Sequence, residues 1–313
     1  MIKLIKKIIK FLIYYPQYVV LKLSGEPDEI ITIIDGGLGS QMSQYAMGQE
    51  IQRITGINVS YDLSWYENNG KDINGIENRL YEIEKIFLNI TVRKASKNKC
   101  KIYETLFNKK KNDVHVQNLD EIFSLSPSPP MYLGGYYNTL KFAEYCMDNL
   151  RKSFSFNLSL NDKNKEMLEN ILREEISIAV QIRLGDYNDT SGYISALPQY
   201  FHKAINNIVK IINSNKIHFF IFSTDAVTCK EILNVLPYNF TYIDINDNDH
   251  GANDMYLMSH CHHFIISNST FGIWPALLSD RSINKIVIYS NKWFNTTSIT
   301  ERPIYPGWIL LDY

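Results

Sequence analysis

The sequence predicts an α/β protein with parallel sheets covered by helices, and three observations carry that reading. In the second half, apolar runs of strand length alternate with stretches of helical periodicity. Ser177-Ile178-Ala179-Val180-Gln181-Ile182 is apolar and β-branched in the manner of a strand buried on both faces, and it ends in a polar turn. Near the start of the chain, an isoleucine-rich run leads into a glycine turn and then a helical pattern. At 313 residues, with 45% hydrophobic and 21% charged, the chain is long enough for two domains. A net charge of −1 favours no nucleic-acid partner. The four cysteines (Cys100, Cys146, Cys229, Cys261) lack paired spacing. They suggest neither a disulfide framework nor a zinc site, and fit a reducing cytoplasm.

The first element is a basic amphipathic helix. Lys3, Lys6, Lys7 and Lys10 share one face, Ile2, Leu4, Ile5, Ile8, Ile9, Phe11 and Leu12 cover the rest, and no acid precedes Glu26. Such a helix can lie in a membrane interface with anionic lipid, or pack on the protein's own body with its lysines in solvent. Pro16 and Lys22 make it a poor bilayer span, and no small-residue cleavage site marks it as a signal peptide. Residues 1–28 are read as a membrane-associating segment, with residues 1–24 meeting the lipid. This makes the protein cytoplasmic and peripheral on the inner face of the membrane.

The first core strand spans Glu29 to Asp35, followed by Gly36-Gly37-Leu38-Gly39-Ser40-Gln41 and a helix containing Met42, Tyr45, Ala46 and Ile51. A glycine turn before a helix admits a ligand to backbone N–H groups. It has neither dinucleotide-fingerprint spacing nor a P-loop lysine, and as a bare turn it is equally a tight connection. Ile57–Leu63 reads as a short strand. The polar stretch through Gly75 reads as an acceptor loop or a surface excursion. Ile76, Leu80, Ile83 and Phe87 keep helical spacing, and Lys109-Lys110-Lys111 reads as a solvated face. Met131–Tyr137 is a strand ending in a glycine turn, with a helix from Thr139 to Phe154. The polar stretch from Asn157 to Lys165 marks a domain boundary, dividing 29–160 from 161–313.

The second half then runs helix Lys163–Glu175, the Ser177 strand, helix Pro198–Asn213, strand Ile217–Ser223 and strand Tyr242–Ile245. Helix Asp254–Cys261, strand Phe264–Ile266, a helix opened by Ser267-Asn268-Ser269-Thr270-Phe271, and a last strand Ile286–Tyr289 complete it. Three strand ends here carry polar groups: Arg183 with Asp186, Ser223-Thr224-Asp225, and Ser267 to Thr270. In an open α/β sheet such ends share the rim where ligands bind. Arg183 offers a fixed fork of donors to phosphate oxygens, or pairs with Asp186. Asp225 accepts from a base or ribose, or caps the helix after it. Asn268 and Ser269 can hold an anion at a helix start, or serve as an ordinary N-cap. Asp244, Asn246, Asp247 and Asp249 lack full calcium-loop spacing. His260, His262 and His263 lie across a helix-to-strand transition and read as structural.

These motifs resemble those of the bacterial α-1,2-fucosyltransferases, glycosyltransferase family 11. Gly36 to Ala46 reads GGLGSQMSQYA against the family's GGLGNQMFQYA. Gln181 to Tyr187 reads QIRLGDY against HIRRGDY, and Phe222 to Asp225 reads FSTD against FSDD. Asp254 to Leu278 reads DMYLMSHCHHFIISNSTFGIWPALL against DLxLMSxCxxxIIxNSSFSWWGAWL. Gly135 to Ala143 and Pro306 to Asp312 match more loosely. The likeness covers the chain from about Ile31 onward, in the family's order.

The resemblance implies a GT-B fold of two Rossmann-like domains facing a cleft. Residues 29–160 would form the acceptor domain and 161–313 the GDP-sugar domain with its C-terminal tail. It implies inverting, metal-free transfer from GDP-β-L-fucose to the 2-hydroxyl of a galactose in a surface-glycan (O-antigen) precursor, free or lipid-linked. Arg183 would neutralise the leaving diphosphate and Asp186 orient the arginine. Gly36, Gly37, Gly39 and Gln41 would face the donor from the other domain, with Ser223, Asp225, Asn268, Ser269 and Thr270 lining the GDP pocket. Gln181 stands where the family has histidine and cannot act as a general base. Ser40, Leu184 and Pro275 depart as well, and Asp35 beside the turn is a candidate base or a strand cap. These departures leave open a related donor such as GDP-colitose, or a non-catalytic sugar-nucleotide or glycan binder. An NAD oxidoreductase would fit the sheet but not the glycine spacing.

Overall fold

Isoleucine-rich strands and the helices that follow them assemble into two separate parallel sheets. The computed structural model describes residues 2–68, 70–71, 78–111, 114–115, 127–135, 137, 143–184, 198–247, 250–292 and 307–312. One compact unit comprises Met1–Glu84 with Ile90–Phe142, the other Lys85–Asn89 with Ala143–Tyr313.

In the first unit the elements are α1 (Ile2–Leu23), β1 (Ile30–Ile33), α2 (Leu38–Thr55), β2 (Val59–Asp62), α3 (Ser64–Glu67), α4 (Ile83–Ile86, running into the second unit), α5 (Lys97–Phe107), the paired β3 (Lys110–Lys111) and β4 (Val114–His115), and β5 (Met131–Leu133). Its main sheet has the order β2-β1-β5, all parallel, with Ile30 and Ile31 of the central strand fully buried. Helix α2 ends at Gly56, whose φ of 70° is the left-handed cap that returns its N–H to Gln52 O. Helix α5 starts at Ser96, whose hydroxyl accepts from Lys99 N–H.

The second unit contains α6 (Ala143–Ser153), α7 (Asp162–Arg173), β6 (Ile176–Gln181), α8 (Pro198–Ile212), β7 (Ile217–Phe222), α9 (Ala226–Leu233), β8 (Phe240–Ile243), α10 (Gly251–Ser259), β9 (His263–Ile266), α11 (Thr270–Leu278), β10 (Val287–Ser290) and β11 (Ile309–Leu311). Its six strands are parallel in the order β8-β7-β6-β9-β10-β11. That is the doubly wound arrangement, with the first strand in the middle and the winding reversing between β6 and β9. Ile178 and Val180 of β6, Phe219 and Ile221 of β7 and Ile265 of β9 bury their side chains against Phe201, Ile205 and Ile208 of α8.

Several boundaries differ from the sequence expectation. Of the helix expected through Ile76, Leu80, Ile83 and Phe87, the described residues from Asn78 onward show only Ile83–Ile86, because Glu82 and Ile83 give their N–H groups to the Gln41 carboxamide rather than to a preceding turn. Strand β8 starts two residues before Tyr242, and α10 starts at Gly251 rather than Asp254. Ile286–Tyr289 is not the last strand, since Ile309–Leu311 pairs beyond it. The break expected at 160/161 falls inside the second unit, where Phe154, just past α6, stacks edge-on against Trp274 of α11 at 4.8 Å. Residues 139–142, Gly75 and Ile76, Gly185, Asp186, Tyr187 and Asp249 lie outside the described residues.

Candidate functional site

The reversal between β6 and β9 decides which polar turns are neighbours. Ile182, one residue past β6, still donates its N–H to Phe222 O of β7 (2.9 Å), and Ser267, just past β9, donates its N–H to Gln181 O (3.2 Å). Ser267 Oγ also donates to Gln181 Oε1 at 2.6 Å, both residues being buried. The ends of β7, β6 and β9 are therefore side by side at the switch point of the sheet. That brings together Arg183, Ser223 to Asp225, and Ser267 to Thr270 on one rim.

Arg183 is half-buried, two residues beyond the end of β6. Asn268 is fully buried and Ser269 nearly so. Ser269 caps α11, its Oγ accepting from Phe271 N–H at 3.3 Å, and half-buried Thr270 opens the helix. Gly272 permits this packing: a Cβ there would stand 3.0 Å from Gln181 Oε1 and 3.1 Å from Ile266 Cβ. On the other flank, Ser223 Oγ accepts from Asp225 N–H (3.2 Å). Asp225 caps α9 by accepting from Thr228 N–H (3.0 Å) and Thr228 Oγ1 (2.6 Å). Those bonds from Thr228 hold the exposed Asp225 carboxyl below the usual range, so it is an anion and an acceptor at neutral pH. An arginine just past one strand end and a helix N-terminus just past the next are together suited to a diphosphate. A carboxylate one strand away suits the donors of a ribose or a base. Asp186, expected to orient Arg183, lies outside the described residues.

The second group of expected residues sits in the first unit. Gly36 has a φ of 74°, a backbone only glycine adopts readily, and its carbonyl accepts from Tyr66 Oη (2.8 Å). Gly37 caps α2 with extended backbone, and a Cβ there would meet nothing within 4 Å. Gly39 is buried in the first turn of that helix. Gln41 is fully buried and its carboxamide is filled by backbone. Nε2 donates to Gly36 O (3.3 Å) and Leu80 O (2.7 Å), while Oε1 accepts from Glu82 N–H (2.9 Å) and Ile83 N–H (3.4 Å). It shapes the turn instead of facing a ligand. Asp35 is clamped by Gln44, which donates Nε2 to Asp35 Oδ1 (2.8 Å) and accepts Asp35 N–H (2.9 Å). Burial pushes the Asp35 carboxyl up, against the lowering bond from Gln44.

The remaining candidates are structural. His262 Nδ1 accepts from Ser177 N–H (3.1 Å) and His263 Nδ1 from Ile286 N–H (3.1 Å), which ties the ends of three strands. Burial, with help from His262, pushes His263 down to about 4, so it is neutral. Asn246 joins a network with Asn164 and Asp254. Among the described residues no cluster of His, Cys, Asp or Glu could hold a metal ion, and no cysteine forms a disulfide. Two residues at the switch point had no role in the sequence reading. Gln181 links two strand ends through Ser267, and Tyr200 of α8, wholly buried, donates Oη to Ile266 O at 2.6 Å. Only the polar Gln181 inside an apolar strand offered a signal.

The model of the family described as glycosyl transferase family 11 matches residues 34–312. An Escherichia coli alpha-1,2-colitosyltransferase is 27% identical over 307 residues, spanning 90% of this chain and 99% of its own. The O-antigen biosynthesis glycosyltransferase WbnK, also from Escherichia coli, is 26% identical over 301 residues, spanning 83% and 93%. The crystal structure of NodZ alpha-1,6-fucosyltransferase co-crystallised with GDP superposes with a TM-score of 0.50 at 12% identity. It covers 80% of this chain and 93% of that one. This last likeness bears on the fold alone, which is GT-B.

Proposed function

The chain belongs to glycosyltransferase family 11, and from that premise we propose that it transfers L-fucose from GDP-β-L-fucose to the 2-hydroxyl of a galactose residue in a bacterial surface-glycan precursor, free or lipid-linked, with inversion at the anomeric carbon. What supports this reading is strand order: Arg183 follows β6 and the Ser269-capped helix follows its neighbour β9, on the two sides of the switch point. In the transfer the acceptor oxygen forms a bond to the sugar's anomeric carbon, and its hydroxyl proton is released to a base or to water. The bond from that carbon to the β-phosphate oxygen breaks, and its electron pair leaves with GDP. Negative charge grows on the diphosphate as this happens. Arg183 and the N-terminus of α11 are fixed donors where that charge develops, so they stabilise the transition state more than the ground state. Asp225 would accept from the ribose or guanine, and Asp186 would steer Arg183. This reading requires no metal or other cofactor.

A second reading, the same chemistry with GDP-colitose, is favoured by the likeness to the colitosyltransferase. That donor lacks one sugar hydroxyl, so the two readings differ in a single donor contact. Incubation of the full chain with each GDP-sugar and a panel of galactosides, read by mass spectrometry, separates them. Binding of GDP in a calorimeter without transfer from either donor would instead identify a non-catalytic sugar-nucleotide binder. Arg183→Ala should lower kcat by about 10²-fold, the usual loss on removing one preorganised donor to a developing anion. A near-normal rate in that variant would reject the role given to Arg183.

A further inference from the structure

Helix α1 divides into a docked half and a free half. Residues 5–13 are all exposed, whereas Tyr14, Gln17, Tyr18 and Leu21 are half-buried. Tyr14, Tyr18 and Leu21 pack on Cys100, Ile102 and Tyr103 of α5, with the Tyr18 ring 4.8 Å from Phe107. Tyr18 Oη and Lys22 Nζ both donate to Asp28, at 3.0 and 2.9 Å, which staples the helix end to the segment just before β1. No helix among the described residues is long and apolar enough to cross a membrane.

The sides of the helix follow from its rotation of about 100° per residue. Taking Tyr14 as the origin, the docking residues occupy roughly a third of the circumference around it. Lys6, Lys7 and Lys10 fall on that same side, in the free half. Ile5, Ile8, Ile9, Leu12, Val19, Val20 and Leu23 fall on the opposite side, and each is exposed. Phe11 and Tyr15, stacked at 4.8 Å, lie on one border between the two. The helix therefore attaches to the first unit by the edge that carries its lysines, and turns a continuous apolar stripe outward over most of its length. A helix that used its apolar side to complete a core would be docked the other way round.

We propose that α1 is an in-plane membrane-docking helix whose outward apolar stripe enters the acyl boundary of an anionic lipid surface while Lys6, Lys7 and Lys10 contact headgroups from the side facing the protein. The charge pattern selects this occupant over a second copy of the chain. No acid precedes Glu26, so a second copy of α1 would bring no partner for these lysines, whereas anionic headgroups neutralise them. The border aromatics suit the headgroup level, where amphipathic rings settle. This inference goes beyond the transfer reaction and does not depend on which sugar is moved.

The test is co-sedimentation of the full chain with vesicles of phosphatidylcholine alone and of an equal mixture of phosphatidylcholine and phosphatidylglycerol. At least a tenfold preference for the mixed vesicles is expected, shrinking at high salt. The double variant Ile8→Glu with Leu12→Glu should lose vesicle binding, and Lys6→Gln, Lys7→Gln and Lys10→Gln together should lose the preference for phosphatidylglycerol. All five side chains are exposed, so thermal melting and GDP binding of both variants should match the parent. Equal sedimentation of parent and variants overturns the proposal. So does a dimer of the parent that Ile8→Glu with Leu12→Glu converts to monomer while neither form binds vesicles.

Discussion

Asp254 in α10 is the residue whose protonation couples most clearly to folding. Burial pushes its carboxyl up from 3.8 to about 6, opposed by the bond from Asn246 Nδ2 at 2.7 Å. Between those pH values the native state binds more protons than the unfolded chain, so this group makes stability fall as pH rises through that window. A displacement of that size costs roughly 3 kcal/mol at most once the pH is above the window. Asp254→Asn keeps the acceptor for Asn246 and removes the charge. It should therefore stabilise the protein at neutral pH by up to about 3 kcal/mol and lose that advantage near pH 4. Urea unfolding at the two pH values measures this, and a difference independent of pH would contradict the burial argument. At the switch point, Gln181→Ala leaves the buried Ser267 hydroxyl without its acceptor, a cost of about 1–3 kcal/mol. The same variant should slow transfer, since the β9 turn loses its tie to the strand that carries Arg183.

At the scale of elements, two glycines of the α2 region make opposite predictions. A Cβ on Gly48 would stand 2.5 Å from Tyr61 Oη, and Tyr61 is locked by its bonds to Tyr45 O (3.0 Å) and from Gln49 Nε2 (3.1 Å). Gly48→Ala should thus destabilise by about 1–3 kcal/mol, overpacking outweighing the better helix propensity of alanine. Gly37→Ala places its methyl in open space on extended backbone and should change stability by less than about 1 kcal/mol. Denaturation of the two variants side by side checks the contrast. Comparable losses would mean that α2 does not lie against β2 as described.

Among the described residues the molecule has two parallel sheets, each with its own core, and the rim proposed to hold the diphosphate belongs to the second. GDP at about a hundredfold excess over its Kd should stabilise its binding unit by about 2.7 kcal/mol. Hydrogen exchange should show that protection in β6, β7 and β9 and little in β1 and β2, with Arg183→Ala abolishing it. Protection confined to the first unit would refute the assignment of the site. The alternation of strands and helices, the glycine turn and the family motifs were all legible in the chain, because periodicity and turn chemistry are properties of adjacent residues. So was the two-sided character of α1. Which polar turns become neighbours was not legible, because it depends on strand order: Gln181 and Ser267 meet across 86 positions. For the same reason Gln41 read as a ligand contact and proved to be a backbone brace reaching residues 80–83, and the three-residue β11 became a strand only through its pairing with β10. The face by which α1 docks was likewise settled by tyrosines meeting a helix some eighty residues on. Short-range pattern determined what each element is, and long-range contact, where burial and hydrogen bonding are satisfied between distant segments, decided what each element does.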